Sequence, residues 1–199
     1  MEPISNIIYM MYPLYRLQVN PVQGEFNAEH LKMIHRTALD DFYPWCGEYR
    51  ENTLWRFPSS DFTPPDKIPY EIDRALKAYK ESEDELSVKC AILQWELNHI
   101  HPFNDGNGRT QREFIREMCI QEGCIFDLSF TKVKDMFTAS RSKDPGAMID
   151  IFRKAIKKHN DPQSFYETCG YITILSQDDV PEEAKQFFRS HLPKVGKQI

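Results

Sequence analysis

His101-Pro102-Phe103-Asn104-Asp105-Gly106-Asn107-Gly108-Arg109-Thr110-Gln111-Arg112 is the stretch that decides how this chain of 199 residues is read. Two glycines flank Asn107 where a polar loop passes into a helix. Glycine lets successive backbone N–H groups converge on one point, and a helix N-terminus adds unpaired donors and partial positive charge. Alone, a Gly-Asn-Gly is usually only a turn. Here Arg109 and Arg112 follow at i and i+3 on one face of the first turn. The helix dipole disfavours a cation there by about 0.3–1 kcal/mol, so two together call for an anion such as a polyphosphate held in guanidinium forks. Asp105 offers an oxygen ligand of the kind Mg²⁺ takes between phosphates. His101, ending the preceding helix, is the nearby side chain suited to general-base work near neutral pH. The pattern implies phosphate chemistry in which a nucleophile gives its proton to His101. No GxxxxGK[ST] is present, which excludes a P-loop.

Outward from this loop the chain reads as helices. Upstream, Leu86, Val88, Ala91, Ile92, Leu93, Trp95, Leu97 and Ile100 are apolar on nearly every side, as in a central buried helix. Ser82-Glu83-Asp84-Glu85 has the form of a capping box at its start. Pro64-Pro65-Asp66 opens an earlier helix marked by Ile68, Ile72, Leu76 and Tyr79. Asn27 caps one carrying Leu31, Ile34, Ala38 and Phe42, ended by Pro44 and Gly47. Between them, Glu48 to Phe62 changes character and reads as a short β-hairpin or extended flap. Downstream, the loop's helix runs through Phe114, Ile115 and Met118 to a stop at Gly123. Further helices are predicted at 131–142, 145–158, 162–170 and 181–191. The fold class is therefore mostly α with one small β element: an N-terminal arm over 1–26, a body over 27–160 and a helical extension over 161–199.

Composition narrows the function classes. With 25 Lys+Arg against 30 Asp+Glu the formal charge is −5, which gives no reason to expect general nucleic-acid or anionic-membrane binding. Nothing approaches the roughly 20 apolar residues of a membrane span, and the start lacks a signal-peptide pattern. Five cysteines without a CxxC argue against a disulfide framework and for a reducing cytoplasm. His99 and His101 form an H-x-H, but no third ligand is placed to complete a zinc site, and His30, His35, His159 and His191 read as structural or surface residues.

The segment 101–112 resembles the signature of the Fic (Fido) domain, HxFx[D/E]GNGRxxR, at every defined position. Leu31 to His35 and Tyr43-Pro44-Trp45-Cys46-Gly47-Glu48-Tyr49-Arg50 are similar to the helix and W-x-G-x-x-R turn before the flap of such domains, and Phe62-Thr63-Pro64-Pro65 to the flap's end. The resemblance covers residues 27–160. It implies a Fic-fold helical bundle and protein adenylylation: AMP moves from ATP to a Ser, Thr or Tyr hydroxyl of a target protein, releasing pyrophosphate. In that reading His101 is the base and Asp105 coordinates Mg²⁺. Gly106, Asn107 and Gly108 form the anion hole, Arg109 serves the β-phosphate and Arg112 the γ-phosphate. The flap, with Leu54, Trp55, Arg56 and Phe57, holds the target as an added strand.

Two departures from the family matter. Many Fic flaps carry a Lys-Gly pair where this chain has Leu54-Trp55-Arg56-Phe57-Pro58. The inhibitory pattern [S/T]xxxE[G/N] is absent, since Gly47 and Met118 stand four residues before the eligible Glu51 and Glu122. The protein is then either constitutively active or restrained by a separate small antitoxin-like partner. Transfer of UMP or phosphate, or a non-catalytic ATP- or peptide-binding module, are the alternatives.

Overall fold

The computed structural model describes residues 17, 21–39, 43–52, 62–128, 131–163, 165, 182, 183 and 186. Six α-helices and one short two-stranded sheet are formed among them. Helix α1 spans Ala28–Leu39, and after a 3₁₀ turn at Pro65–Lys67 come α2 (Ile68–Glu81), α3 (Leu86–Ile100) and α4 (Asn107–Gln121). Strand β1 (Cys124–Phe126), α5 (Val133–Ser140), α6 (Gly146–Ala155) and β2 (Ile156–Lys158) complete the order. No helix among the described residues is long and apolar enough to cross a membrane.

The apolar girdle of α3 makes it the hub. It packs against α2, α4, α5 and α6, while α1 lies across α4 and α2. Leu93 and Leu97 of α3, Phe114 of α4 and Phe152 of α6 are buried in one continuous core. Each such side chain contributes about 1.5–3 kcal/mol by leaving water, which is what fixes the helices around the loop.

Local signals behave largely as read. The Asn27 side chain accepts the His30 N–H at 3.0 Å and so caps α1. Ser82 behaves differently. It terminates α2 by donating its N–H to Ala78 O, and its hydroxyl turns to Asp84, so the cap position of α3 falls to Glu85. The Glu85 carboxylate is engaged by Arg153 at 2.8 Å and by Ser87, leaving no capping box.

The helix expected over 145–158 stops at Ala155. Gly123, in the left-handed region at φ 68°, turns the chain out of α4 into β1. There β1 offers ladder partners, and Ile156–Lys158 pairs with it antiparallel, with Ile125 opposite Lys157. The small β element of the described residues is thus this sheet. The flap positions Leu54, Trp55, Arg56 and Phe57, the rest of 53–61, and most of the helices expected over 162–170 and 181–191 lie outside the described residues.

Candidate active site

Loop 101–106 joins the C-terminus of the hub helix to the N-terminus of α4, and its shape is set by buried contacts. Phe103 is fully buried beneath it. The Asn107 side chain accepts the Phe103 N–H at 2.9 Å and donates to the Phe103 carbonyl at 2.8 Å, closing the loop on itself. That side chain, expected at the anion hole, is turned inward, which leaves the backbone to face an anion. Gly106 caps α4 at φ 75° without a side-chain cap, and the first helical bond runs from Thr110 N–H to Gly106 O. The N–H groups of Asn107, Gly108 and Arg109 therefore have no intrahelical acceptor and form the open end of the dipole. A Cβ on Gly106 would stand 2.3 Å from a Leu39 methyl, so only glycine fits this cap.

The two arginines flank that end. Arg112 is exposed, and its guanidinium folds back to 3.1 Å from where a Gly108 Cβ would stand. Dense protein on its inner side, and then the charge of Arg109, hold its pKa below the usual arginine value. Arg109 is nearly buried and lies 3.8 Å from a carboxylate oxygen of Asp105. Asp105 also accepts the Tyr43 hydroxyl at 3.2 Å and its neighbour Gly106 N–H at 2.7 Å. Its side chain remains 42% exposed, which leaves room for an incoming cation. Among the described residues no group of three or more His, Cys, Asp or Glu could hold a metal by itself. A single accessible carboxylate fits Mg²⁺, which takes one or two carboxylates and fills its other positions with water and phosphate oxygens.

His101 ends α3 in the left-handed region at φ 49°, alone among the described non-glycine residues. Its ring stacks on Phe62, centroids 4.1 Å apart. Burial pushes its pKa down to about 4; a backbone hydrogen bond to Asn98 and the charge of Asp105 oppose the shift, while Arg50 adds to it. A carbonyl can only accept, so one ring nitrogen carries a proton and the other keeps its lone pair. The imidazole is neutral at physiological pH, as a base must be.

Three residues quoted in the sequence, His35 (read as structural or surface), Tyr43 and Arg50, support the loop through bonds that the sequence did not foretell. His35 accepts the Gly47 N–H at 2.8 Å on Nδ1 and donates from Nε2 to the Asp105 carbonyl at 3.0 Å, tying the Trp45–Gly47 turn to the loop. Burial lowers its pKa to about 4, which preserves that tautomer. Tyr43, Trp45, His35 and Phe103 stack in a column, with successive centroids 4.4, 6.1 and 3.8 Å apart. Arg50, 2% exposed, donates to the carbonyls of His101, Ile100, Asn52 and Thr63. A basic residue inside a W-x-G-x-x-R turn was the signal for it, but four carbonyls scattered along the chain have no sequence mark.

The sequence model of the Fic/DOC family matches residues 25–119. A protein adenylyltransferase of Bartonella schoenbuchensis is 28% identical over 132 residues, covering 63% of this chain and 28% of that protein. A probable protein adenylyltransferase of Sinorhizobium fredii is 28% identical over 149 residues, covering 67% of this chain and 74% of the relative. This chain thus spans under a third of the first relative and about three quarters of the second. Among solved structures, an effector protein of Bartonella tribocorum with bound AMPPNP superposes with a TM-score of 0.67 at 20% identity, over 78% of this chain and 85% of that one. An N-terminal Fic domain of Bartonella quintana with bound ADP gives a TM-score of 0.67 at 20% identity, over 78% and 86%. Fold, loop and sequence agree in one likeness: residues 25–119 are similar to the Fic/DOC family, and the chain has the fold of the Fic domains.

Proposed function

We propose that the chain is a protein adenylyltransferase, moving AMP from ATP to a Ser, Thr or Tyr hydroxyl of a target protein. The observation that carries this reading is the juxtaposition of a neutral, stacked imidazole at the end of α3 with the open N-terminus of α4, one loop away. The names of the adenylyltransferase relatives and the nucleotides in two neighbouring structures support it.

In this mechanism His101 takes the proton of the target hydroxyl as its oxygen attacks the α-phosphorus. The bond from that phosphorus to the β-phosphate oxygen breaks, and pyrophosphate leaves. The backbone N–H groups of Asn107, Gly108 and Arg109, at the open end of α4, would stabilise the charge that grows on the α-phosphate, a role of the kind worth about 10²–10³ in rate per donor. Arg109 and Arg112 hold the leaving phosphates. Asp105 would hold Mg²⁺, which supplies charge neutralisation of the α- and β-phosphates.

The remaining assignments belong to the same reading. The catalytic body extends over 27–160, since α5, α6 and the β1–β2 pair share the core of α3, with 1–26 an arm and 161–199 an extension. Leu54, Trp55, Arg56 and Phe57 hold the target strand. The setting is the cytoplasm, in keeping with the free thiols of Cys46, Cys90, Cys119 and Cys124. Restraint comes from a separate small antitoxin-like protein carrying [S/T]xxxE[G/N].

Incubation with ATP labelled at the α- or the γ-phosphate tests the reaction. Protein acceptors are expected to gain label from the α position only, and His101→Ala to abolish it while nucleotide binding persists. Labelling from the γ position alone would establish phosphate transfer instead.

A further inference from the structure

We propose that Arg50 is a positioning residue whose guanidinium joins both ends of the 53–61 segment to the backbone of His101, so that the base and the target-holding segment are set by one side chain. The inference rests on the reading of His101 as the base. Nε donates to His101 O at 2.7 Å and Nη2 to Ile100 O at 3.2 Å, the last carbonyls of α3, which lack helical partners. Nη1 donates to Asn52 O at 3.2 Å, and Nη2 also to Thr63 O. The backbone adds two ties: Arg50 N–H to Pro102 O at 2.9 Å and Thr63 N–H to His99 O at 3.3 Å.

These bonds explain two otherwise costly features. A histidine in the left-handed region is strained, and the strain persists only where the surroundings enforce it. Arg50 and Pro102 supply that enforcement on either side of the His101 carbonyl. A buried guanidinium is also costly without an anion, yet every partner of this one among the described residues is a carbonyl. The negative end of the α3 dipole offsets its charge. Among the described residues no carboxylate competes for it, and its charge stands next to the imidazole. Arg50 from the turn and Asp105 from the loop are the charged groups among the described residues that act on the ring, and Phe62 covers one face. Lysine cannot replace this fork, because a point charge does not reach carbonyls from positions 52, 63, 100 and 101 at once.

The test compares Arg50→Gln and Arg50→Lys with wild type by ring-labelled histidine NMR, amide exchange, calorimetry with ADP, and AMP transfer. His101 is assigned through His101→Gln. In Arg50→Gln the His101 midpoint is expected to rise, since a repelling charge is gone. Exchange at the Thr63 amide is expected to quicken roughly tenfold in both variants. Arg50→Lys keeps the charge, so its midpoint is expected to stay near wild type. ADP affinity is expected to hold within about threefold in both, and kcat for transfer to fall far more than nucleotide KM rises. An unchanged Thr63 exchange in Arg50→Lys overturns the proposal, whether or not Arg50→Gln folds. So does a midpoint in folded Arg50→Gln equal to wild type. Absence of AMP transfer by the wild-type protein would instead overturn the adenylylation reading and leave the NMR comparison standing.

Discussion

At the scale of single residues, two histidines at the loop are held neutral by burial. His101, with its pKa held near 4 by burial, is neutral from physiological pH down to about pH 5. The acid limb of kcat/KM is therefore expected near pH 4, well below the usual histidine value, and a stopped pH–rate series checks it. His35 has the same depressed value and an equally specific reason to stay neutral, because protonating Nδ1 would break its bond to the Gly47 N–H. Its pKa is lower in the folded state than unfolded, so the unfolded chain binds the proton first. Stability is expected to fall as pH drops from about 6.5 to 4, by an amount on the order of 3 kcal/mol from His35 alone. Urea midpoints at pH 7 and pH 4.5 for wild type and His35→Asn measure this, and a pH difference equal in both would remove His35 as the cause. Asn107→Ala is expected to cost about 1–3 kcal/mol by leaving the buried Phe103 amide unpaired. Its transfer rate should suffer through loop order, not through a lost phosphate ligand.

At the scale of elements, the Gly106 cap sets how α1 and α4 approach. Gly106→Ala meets both a left-handed φ and the Leu39 side chain, and is expected to destabilise by about 2–4 kcal/mol. Adding Leu39→Ala is expected to relieve the clash but not the backbone penalty, so the double-mutant cycle should show a coupling of at least about 0.5 kcal/mol. Additive losses would mean the helices simply shift apart. This element was legible in advance because its signals are local: two glycines and two arginines within seven residues. The same holds for the Asn27 cap and the girdle of α3. Ser82 misled because its hydroxyl had two local partners, and the nearer one, Asp84, won. The β1–β2 pair was hidden for another reason. Three-residue strands carry no period, and Ile156–Lys158 continues the pattern of α6 until a ladder partner 30 residues upstream takes its backbone. Arg50 and Tyr43 were within a recognised turn, but what they bond lies at the far side of the fold.

At the scale of the whole molecule, α4 does two jobs at its two ends. Its N-terminus is open to anions, while its C-terminal half carries a buried ionic cluster. Arg116 grips Glu113 in a fork at 2.9 and 2.5 Å, and Glu117 meets His30 at 2.6 Å. The cluster also fastens the chain entering the domain, through the Leu17 carbonyl to Arg116 and the Val22 N–H to Glu117. Removing its arginine strands two carboxylates, so Arg116→Met is expected to cost about 3–5 kcal/mol. Burial already raises the pKa of Glu117, so the loss relative to wild type should be smaller at pH 5 than at pH 8, as read by denaturant midpoints. A loss independent of pH would point to packing alone. The ring column beside the loop has an optical consequence. Trp45 stacks against Tyr43, whose hydroxyl holds the Asp105 carboxylate, so the indole sits one hydrogen bond and one ring from the place where a cation would bind. With Trp55 and Trp95 replaced by phenylalanine, the protein becomes its own fluorimeter, reporting the arrival of Mg²⁺ or nucleotide as a change in emission without any attached dye.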